Sequence, residues 1–215
     1  MIQQESAIRN PQSAIRCFVQ AGGRSSRMGR DKAFLEVGGT PIIERVLFAA
    51  QSVVKSLAII INAANPNRDC YEKLVDKWNV RLLYDLHDHQ GPLGGIHTSL
   101  VNCAEEEPAL ILACDLPFLT TQFLLFLTQI HQHDNHQSIT LPVDQEGRLQ
   151  PLAGIYSATC LPAVERLLAQ NILRVDRICS QVITRQIAFK EFASLPGAQK
   201  FFLNVNTADD YQSVR

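Results

Sequence analysis

Between Gly22 and Lys32 the chain reads Gly22-Gly23-Arg24-Ser25-Ser26-Arg27-Met28-Gly29-Arg30-Asp31-Lys32, which gathers four of its 20 basic residues around three glycines. Glycine lets the backbone curl until its N–H groups face one anion, and arginine and lysine add charge-assisted bonds to phosphate oxygens. That is the chemistry of a phosphate-binding loop. It has neither the G-x-x-x-x-G-K-[ST] of the P-loop nor the G-x-G-x-x-G dinucleotide fingerprint. A second feature is Asp115, in Ala113-Cys114-Asp115-Leu116-Pro117 directly after an apolar run. One carboxylate emerging from a strand end suits Mg²⁺, which takes few protein ligands and completes its octahedron with water and phosphate oxygens. The third is Asp85 followed by Gly91-Pro92-Leu93-Gly94-Gly95, read as a loop whose bare backbone allows close approach of a flat ligand such as a purine base.

These residues need a scaffold, and the apolar pattern supplies one. Cys17–Gln20, Leu57–Asn62, Val80–Tyr84 and Ala109–Cys114 read as strands. Helical spacing is read over Ile42–Ala50, opened by Pro41 as its first residue, and over Arg68–Lys77 and Gly94–Asn102. Continuous apolar strands alternating with helices predict a parallel sheet covered on both faces, an α/β domain. The second half predicts a helix over Thr121–His131 and strands over Ser138–Val143 and Leu152–Tyr156, joined by a Gln145-Glu146-Gly147 turn that makes the sheet partly mixed. A helix over Cys160–Ala169, a half-buried strand over Val182–Phe189 and a last helix from Ala208, capped by Thr207, complete the reading. In such sheets ligands bind at the carboxyl ends of the strands, where all three features fall.

The 215 residues suffice to bury a core without disulfides or metal. With 46% hydrophobic and 19% charged residues the chain is of ordinary globular composition. A net charge of −1, from 21 acidic and 20 basic residues, excludes a wholly nucleic-acid-binding surface but not a local cationic pocket. No apolar run reaches the length of a membrane span. Six cysteines (Cys17, Cys70, Cys103, Cys114, Cys160, Cys179) without a C-x-x-C pair predict unpaired buried thiols and a cytoplasmic location. Residues 1–15 carry no signal-peptide core and are expected to be a flexible tail, with one domain over 16–215. His131, His133 and His136 do not share one helical face and are expected at a solvated helix end; His87 and His89 are expected to be exposed, and Trp78 to cover the core edge.

Together, Ala21-Gly22-Gly23 through Arg27-Met28-Gly29 to Asp31-Lys32, the Gly91–Gly95 segment, Cys114-Asp115-Leu116-Pro117 and Asn204-Val205-Asn206-Thr207 resemble the molybdenum cofactor guanylyltransferases of the MobA-like nucleotidyltransferase family, over roughly residues 16–215. The resemblance implies a Rossmann-like three-layer α/β fold with a mostly parallel, partly mixed central sheet, and 16–215 as a single nucleotidyltransferase domain. It implies transfer of GMP from GTP to the terminal phosphate of molybdopterin, with Mg²⁺ as cofactor and pyrophosphate as leaving group. GTP and molybdopterin are then the substrates, with transient contact to other molybdenum cofactor proteins or apo-molybdoenzymes and neither nucleic acid nor membrane as partner. Residue by residue, Gln20, Ala21 and Gly22 fall on strand-end contacts to GTP, Lys32 on a phosphate lysine, and Asn62 and Asp85 on nucleotide-binding positions. Asp115 falls on the metal-holding aspartate. Arg27, Lys32 and Asp115 are the expected catalytic set, and Asn204 and Asn206 are candidates for orienting the acceptor. Gln20 departs from the leucine usual at its position. The residues alone leave open a relative that uses CTP or another phosphate acceptor, and a non-catalytic nucleotide- or cofactor-binding adaptor.

Overall fold

A strand buried on both faces requires a helix layer on each side, and the chain is built around one such strand. The computed structural model describes residues 14–21, 31–87, 90–104, 107–133 and 137–205. Its first half runs β1 (Arg16–Gln20), a hairpin of β2 (Glu36–Val37) and β3 (Thr40–Pro41), α1 (Ile42–Gln51), β4 (Ser56–Ile61), α2 (Arg68–Trp78), β5 (Arg81–Tyr84), α3 (Gly91–Val101) and β6 (Ala109–Ala113). There follow α4 (Thr121–His133), β7 (Ile139–Pro142), β8 (Ala153–Tyr156), α5 (Leu161–Ala169), β9 (Thr184–Ile187) and α6 (Phe189–Phe192).

Seven strands form one sheet in the order β5-β4-β1-β6-β8-β7-β9. β1 is parallel to both β4 and β6, with Gln20 level with Ile60 and Ala113. β8 runs antiparallel to β6 and β7, and β9 returns parallel to β7, so the sheet is mostly parallel and mixed in its second half. Side chains alternate across the strands. Cys17, Val19, Leu57, Ile59 and Leu112 face a core closed by α1, α2 and α4, whereas Phe18, Ile60 and Ile111 face a second core closed by α3 and α5. This is the Rossmann-like three-layer arrangement. A cluster of Phe123, Phe192, Phe201 and Phe202, with Phe123 and Phe201 ring centroids 4.8 Å apart, seals the C-terminal segment onto the first core. No helix among the described residues is long and apolar enough to cross a membrane.

Several expectations shift. Pro41 is the last residue of the β2–β3 hairpin, level with Glu36, because its ψ of 138° keeps it extended; the helix begins one residue later. α3 begins at Gly91, so Gly91–Gly95 is a first helical turn rather than a loop, with Leu93, Gly94 and Gly95 buried. The strand expected over Val182–Phe189 is confined to Thr184–Ile187, and Phe189 opens α6. Ile15, assigned to the tail, is 1% exposed in the first core, and its carbonyl accepts from Lys55 N. Cys17, Cys114 and Cys160 are buried free thiols, but Cys70 is exposed. Trp78 packs at the edge of the first core, as expected, and donates to Glu44. The helix expected from Ala208, with its Thr207 cap, lies outside the described residues.

The antiparallel strand β8 fits only because Gly154 has no side chain: a Cβ there would stand 2.2 Å from Leu141 Cδ2 and 3.0 Å from the Thr140 carbonyl oxygen. Gly154→Ala is expected to lower the unfolding free energy by about 1–3 kcal/mol, read as a lower urea midpoint at unchanged slope.

Candidate active site

The order β5-β4-β1-β6 places the first strand between a run that grows one way (β4, β5) and a strand added on the other side (β6), so the sheet changes winding direction between β1 and β6. At such a switch point the connections leaving the strand ends diverge and open a crevice. Ala21 N still bonds to Ile60 O (2.8 Å) and Cys114 N to Gln20 O (3.1 Å), which holds the two chain exits side by side. Along this edge stand Asp85 beyond β5, Asn62 beyond β4, Gln20 and Ala21 at β1, and Asp115 beyond β6. Three strand spacings span about 14 Å.

At the β6 end, Lys32 Nζ lies 2.5 Å from Asp115 Oδ2, with the two side chains only 22% and 11% exposed. Lys32 belongs to a 3-10 turn, Lys32–Phe34, capped by Asp31, whose Oδ1 accepts from Ala33 N at 3.1 Å. Burial pushes the Lys32 ammonium down, but the Asp115 carboxylate, its hydrogen bond and Asp31 outweigh this and hold it above the ordinary lysine value. It is therefore cationic throughout the neutral range. The aspartate corner is fixed from behind: Arg45 donates to Pro117 O (2.9 Å) and to Val37 O (3.3 Å), and Asp115 O accepts from Val205 N (3.3 Å). Among the described residues no group of three or more His, Cys, Asp or Glu could by itself hold a metal. Asp115 offers a single carboxylate, a donor that suits an ion such as Mg²⁺, which completes its shell with water and phosphate oxygens.

A residue not singled out by sequence joins the two ends that flank residues 22–30. Tyr71 on α2 is fully buried against Phe34; its hydroxyl donates to Asp31 Oδ2 (2.7 Å) and lies 3.4 Å from Ala21 O. Burial, with Asp31 beside it, drives this phenol far above its ordinary range, so it stays a neutral donor. In sequence Tyr71 is only one apolar position of an amphipathic helix, and its partners lie 40 and 50 residues away.

At the far end the carboxylate of Asp85 organises the start of α3. Its Oδ1 accepts from His87 N (3.1 Å) and from the Thr98 hydroxyl (2.8 Å), which itself accepts from Leu86 N (3.0 Å). Asn62 Oδ1 accepts from Ala64 N (2.8 Å), closing the turn after β4. The structure thus brings Gln20, Ala21, Lys32, Asn62, Asp85 and Asp115 to one edge, whereas Gly22, Arg27 and Asn206 lie outside the described residues. Asn204 is exposed one residue from the Val205–Asp115 bond.

The histidines differ from expectation. His131 is buried, because its place on α4 faces β7, where Nδ1 meets Thr140 Oγ1 at 2.8 Å; His133 is exposed, and His136 lies outside the described residues. His87 is half-buried, its Nε2 3.0 Å from His97 Nδ1, and burial and that neighbour lower the His97 pKa. His89 lies outside the described residues.

Two outcomes follow from this geometry. In Asp115→Asn the burial of Lys32 loses its main opposing charge, so the Lys32 ammonium titrates below the wild-type value, read by NMR of the Cε–Nζ group. Tyr71→Phe strips a donor from Asp31 and lowers the unfolding free energy by about 1–2 kcal/mol, measured by urea denaturation.

A family model described as the MobA-like NTP transferase domain matches residues 17–184. A probable molybdenum cofactor guanylyltransferase of Carboxydothermus hydrogenoformans is 34% identical over 91% of this chain and 92% of its own length. A molybdenum cofactor guanylyltransferase of Desulfosudis oleivorans is 32% identical over 94% of each. The crystal structure of molybdopterin-guanine dinucleotide biosynthesis protein A from Archaeoglobus fulgidus superposes with a TM-score of 0.76, covering 93% of this chain and 96% of that one, at 22% identity, which supports the shared fold. With that edge geometry and a family match over most of its length, the chain belongs to the MobA-like NTP transferase family.

Proposed function

We propose that this enzyme transfers GMP from GTP to the terminal phosphate of molybdopterin, forming the guanine dinucleotide cofactor and releasing pyrophosphate. The relatives named for this activity match at above 30% identity over more than nine-tenths of the chain. The observation that carries the reading is the Lys32–Asp115 pair at the switch point, a cation and a carboxylate held 2.5 Å apart where a triphosphate crosses the strand ends. Residues 16–215 act as one nucleotidyltransferase domain, and the unpaired thiols suit the cytoplasm.

In this reaction an oxygen of the molybdopterin phosphate attacks the α-phosphorus of GTP; the new P–O bond forms as the bond to the bridging oxygen of the β-phosphate breaks. The nucleophile is already an anion, so no general base is required. The work left to the protein is to place two anions in line and to neutralise charge on the leaving group. Lys32 and Arg27 take the leaving pyrophosphate. Backbone groups of Gln20, Ala21 and Gly22 receive the nucleotide, and Asn62 and Asp85 position its nucleoside end. Asp115 would hold Mg²⁺, which when bound polarises phosphate oxygens. Asn204 and Asn206 orient the acceptor.

Lys32→Ala and Asp115→Ala are each expected to lower pyrophosphate release from GTP with molybdopterin by about 100-fold or more while leaving the fold intact by circular dichroism. Near wild-type rates in both variants, or a wild-type preference for CTP, would overturn the assignment.

A further inference from the structure

Gln20 ends β1 on the same side of the sheet as Phe18, facing α3. Its carboxamide is wedged against the first turns of that helix: a Cβ on Gly95 would stand 2.5 Å from Gln20 Cδ and 2.7 Å from each of Nε2 and Oε1. Gly95 therefore lacks a side chain because the glutamine amide fills its place. Yet Gln20 Nε2 is buried and has no hydrogen-bond partner among the described residues. Gln90, the residue before α3, leaves a buried acceptor, Oε1, equally unpartnered, and its Cβ would lie 3.3 Å from a Cβ on neighbouring Gly94. Among the described residues, one unmet donor and one unmet acceptor thus flank the same helical turn, at the rim of the crevice.

Buried amide groups without partners are unfavourable, and a leucine of similar length would fill the same space without that defect. An unmet donor retained at a binding edge is best explained by a ligand atom that meets it. The glutamine χ3 torsion is soft, so the amide can turn into the crevice without moving the strand.

We propose that Gln20 is a base-reading residue: its Nε2 donates to the O6 carbonyl of bound guanine, with Gln90 Oε1 accepting from the adjacent N1–H. A donor beside an acceptor matches the guanine edge O6/N1–H, whereas the edge of adenine presents N6–H₂ and N1 in the reverse order. This inference rests on the guanylyltransferase reading and adds to it a side-chain source of base selectivity particular to this chain.

The test compares binding of GTP and 2-aminopurine riboside triphosphate, which lacks both O6 and the N1–H, by calorimetry in wild type, Gln20→Leu and Gln20→Met. Wild type is expected to prefer GTP by about 100-fold, the worth of two hydrogen bonds to matched groups. Both variants are expected to bind GTP about tenfold more weakly, to keep only about a tenth of the wild-type preference, the part due to Gln90, and to melt at or above the wild-type temperature without ligand. Folded variants that keep GTP affinity within about twofold and keep the full wild-type preference overturn the proposal alone. A wild type that binds GTP no better than CTP overturns the guanylyl reading, and the role of Gln20 with it.

Discussion

Burial of β1 on both faces and along both edges is the constraint from which the site follows. Val19 and Phe18 are each within 2% of complete burial on opposite faces, and β4 and β6 take up the strand's backbone groups on either side. No polar side chain can be accommodated along such a strand without a partner, so the chemistry is displaced to its carboxyl end. There β6 stops level with it, at Ala113, and β4 one residue beyond the level position, at Ile61, so the residues that follow emerge at one edge. The sheet thus converts separations of tens of residues in sequence into neighbouring positions: Lys32 and Asp115 are 83 residues apart and in direct contact.

The electrostatics of that contact resolve a conflict. A lysine this deeply placed tends to lose its proton, and the carboxylate in contact with it favours keeping it. For Lys32 the attraction of Asp115, with its hydrogen bond, wins over burial. Because the folded-state pKa lies above the unfolded one, the pair's contribution to stability is complete below the unfolded lysine pKa and is lost only as pH rises through the folded value. Arg45 and Tyr71 act one step further out, Arg45 on the Pro117 carbonyl behind Asp115 and Tyr71 on the Asp31 carboxylate that caps the Lys32 turn.

The parallel half of the fold was legible because its strands are uninterrupted apolar runs ended by Asn62, Asp85 and Asp115, and periodicity reads such runs well. What was not legible depends on neighbours distant in sequence. His131 looked like a helix-end residue because its partner, Thr140, sits on a strand that only the folded chain brings beside α4. Gly91–Gly95 looked like a loop because three glycines and a proline in five residues lower helix propensity, yet Asp85 and Thr98 tie the start of α3 and Gln20 fills the space beside Gly95. Tertiary packing there outweighs local preference. Tyr71 gave no signal at all: a buried tyrosine on an amphipathic helix reads as core until its hydroxyl is seen between Ala21 and Asp31.

The two ends of the edge therefore solve different problems. Toward β6 the task is charge, and the proposed reaction brings a phosphate acceptor against a triphosphate, so repulsion between anions dominates the approach. A lysine already held charged by Asp115 needs no change of protonation when phosphate arrives, and its anchors hold it where that charge is required, which is the condition for preorganised stabilisation. Toward β5 the task is identity, for which charge is useless and directional hydrogen bonds are effective. The carboxylate of Asp85 is already engaged by Thr98 and the His87 amide, and Asn62 closes its own turn. Groups not committed to the fold are suited to selective contacts, and the unmet amides of Gln20 and Gln90 at the first turn of α3 are such groups.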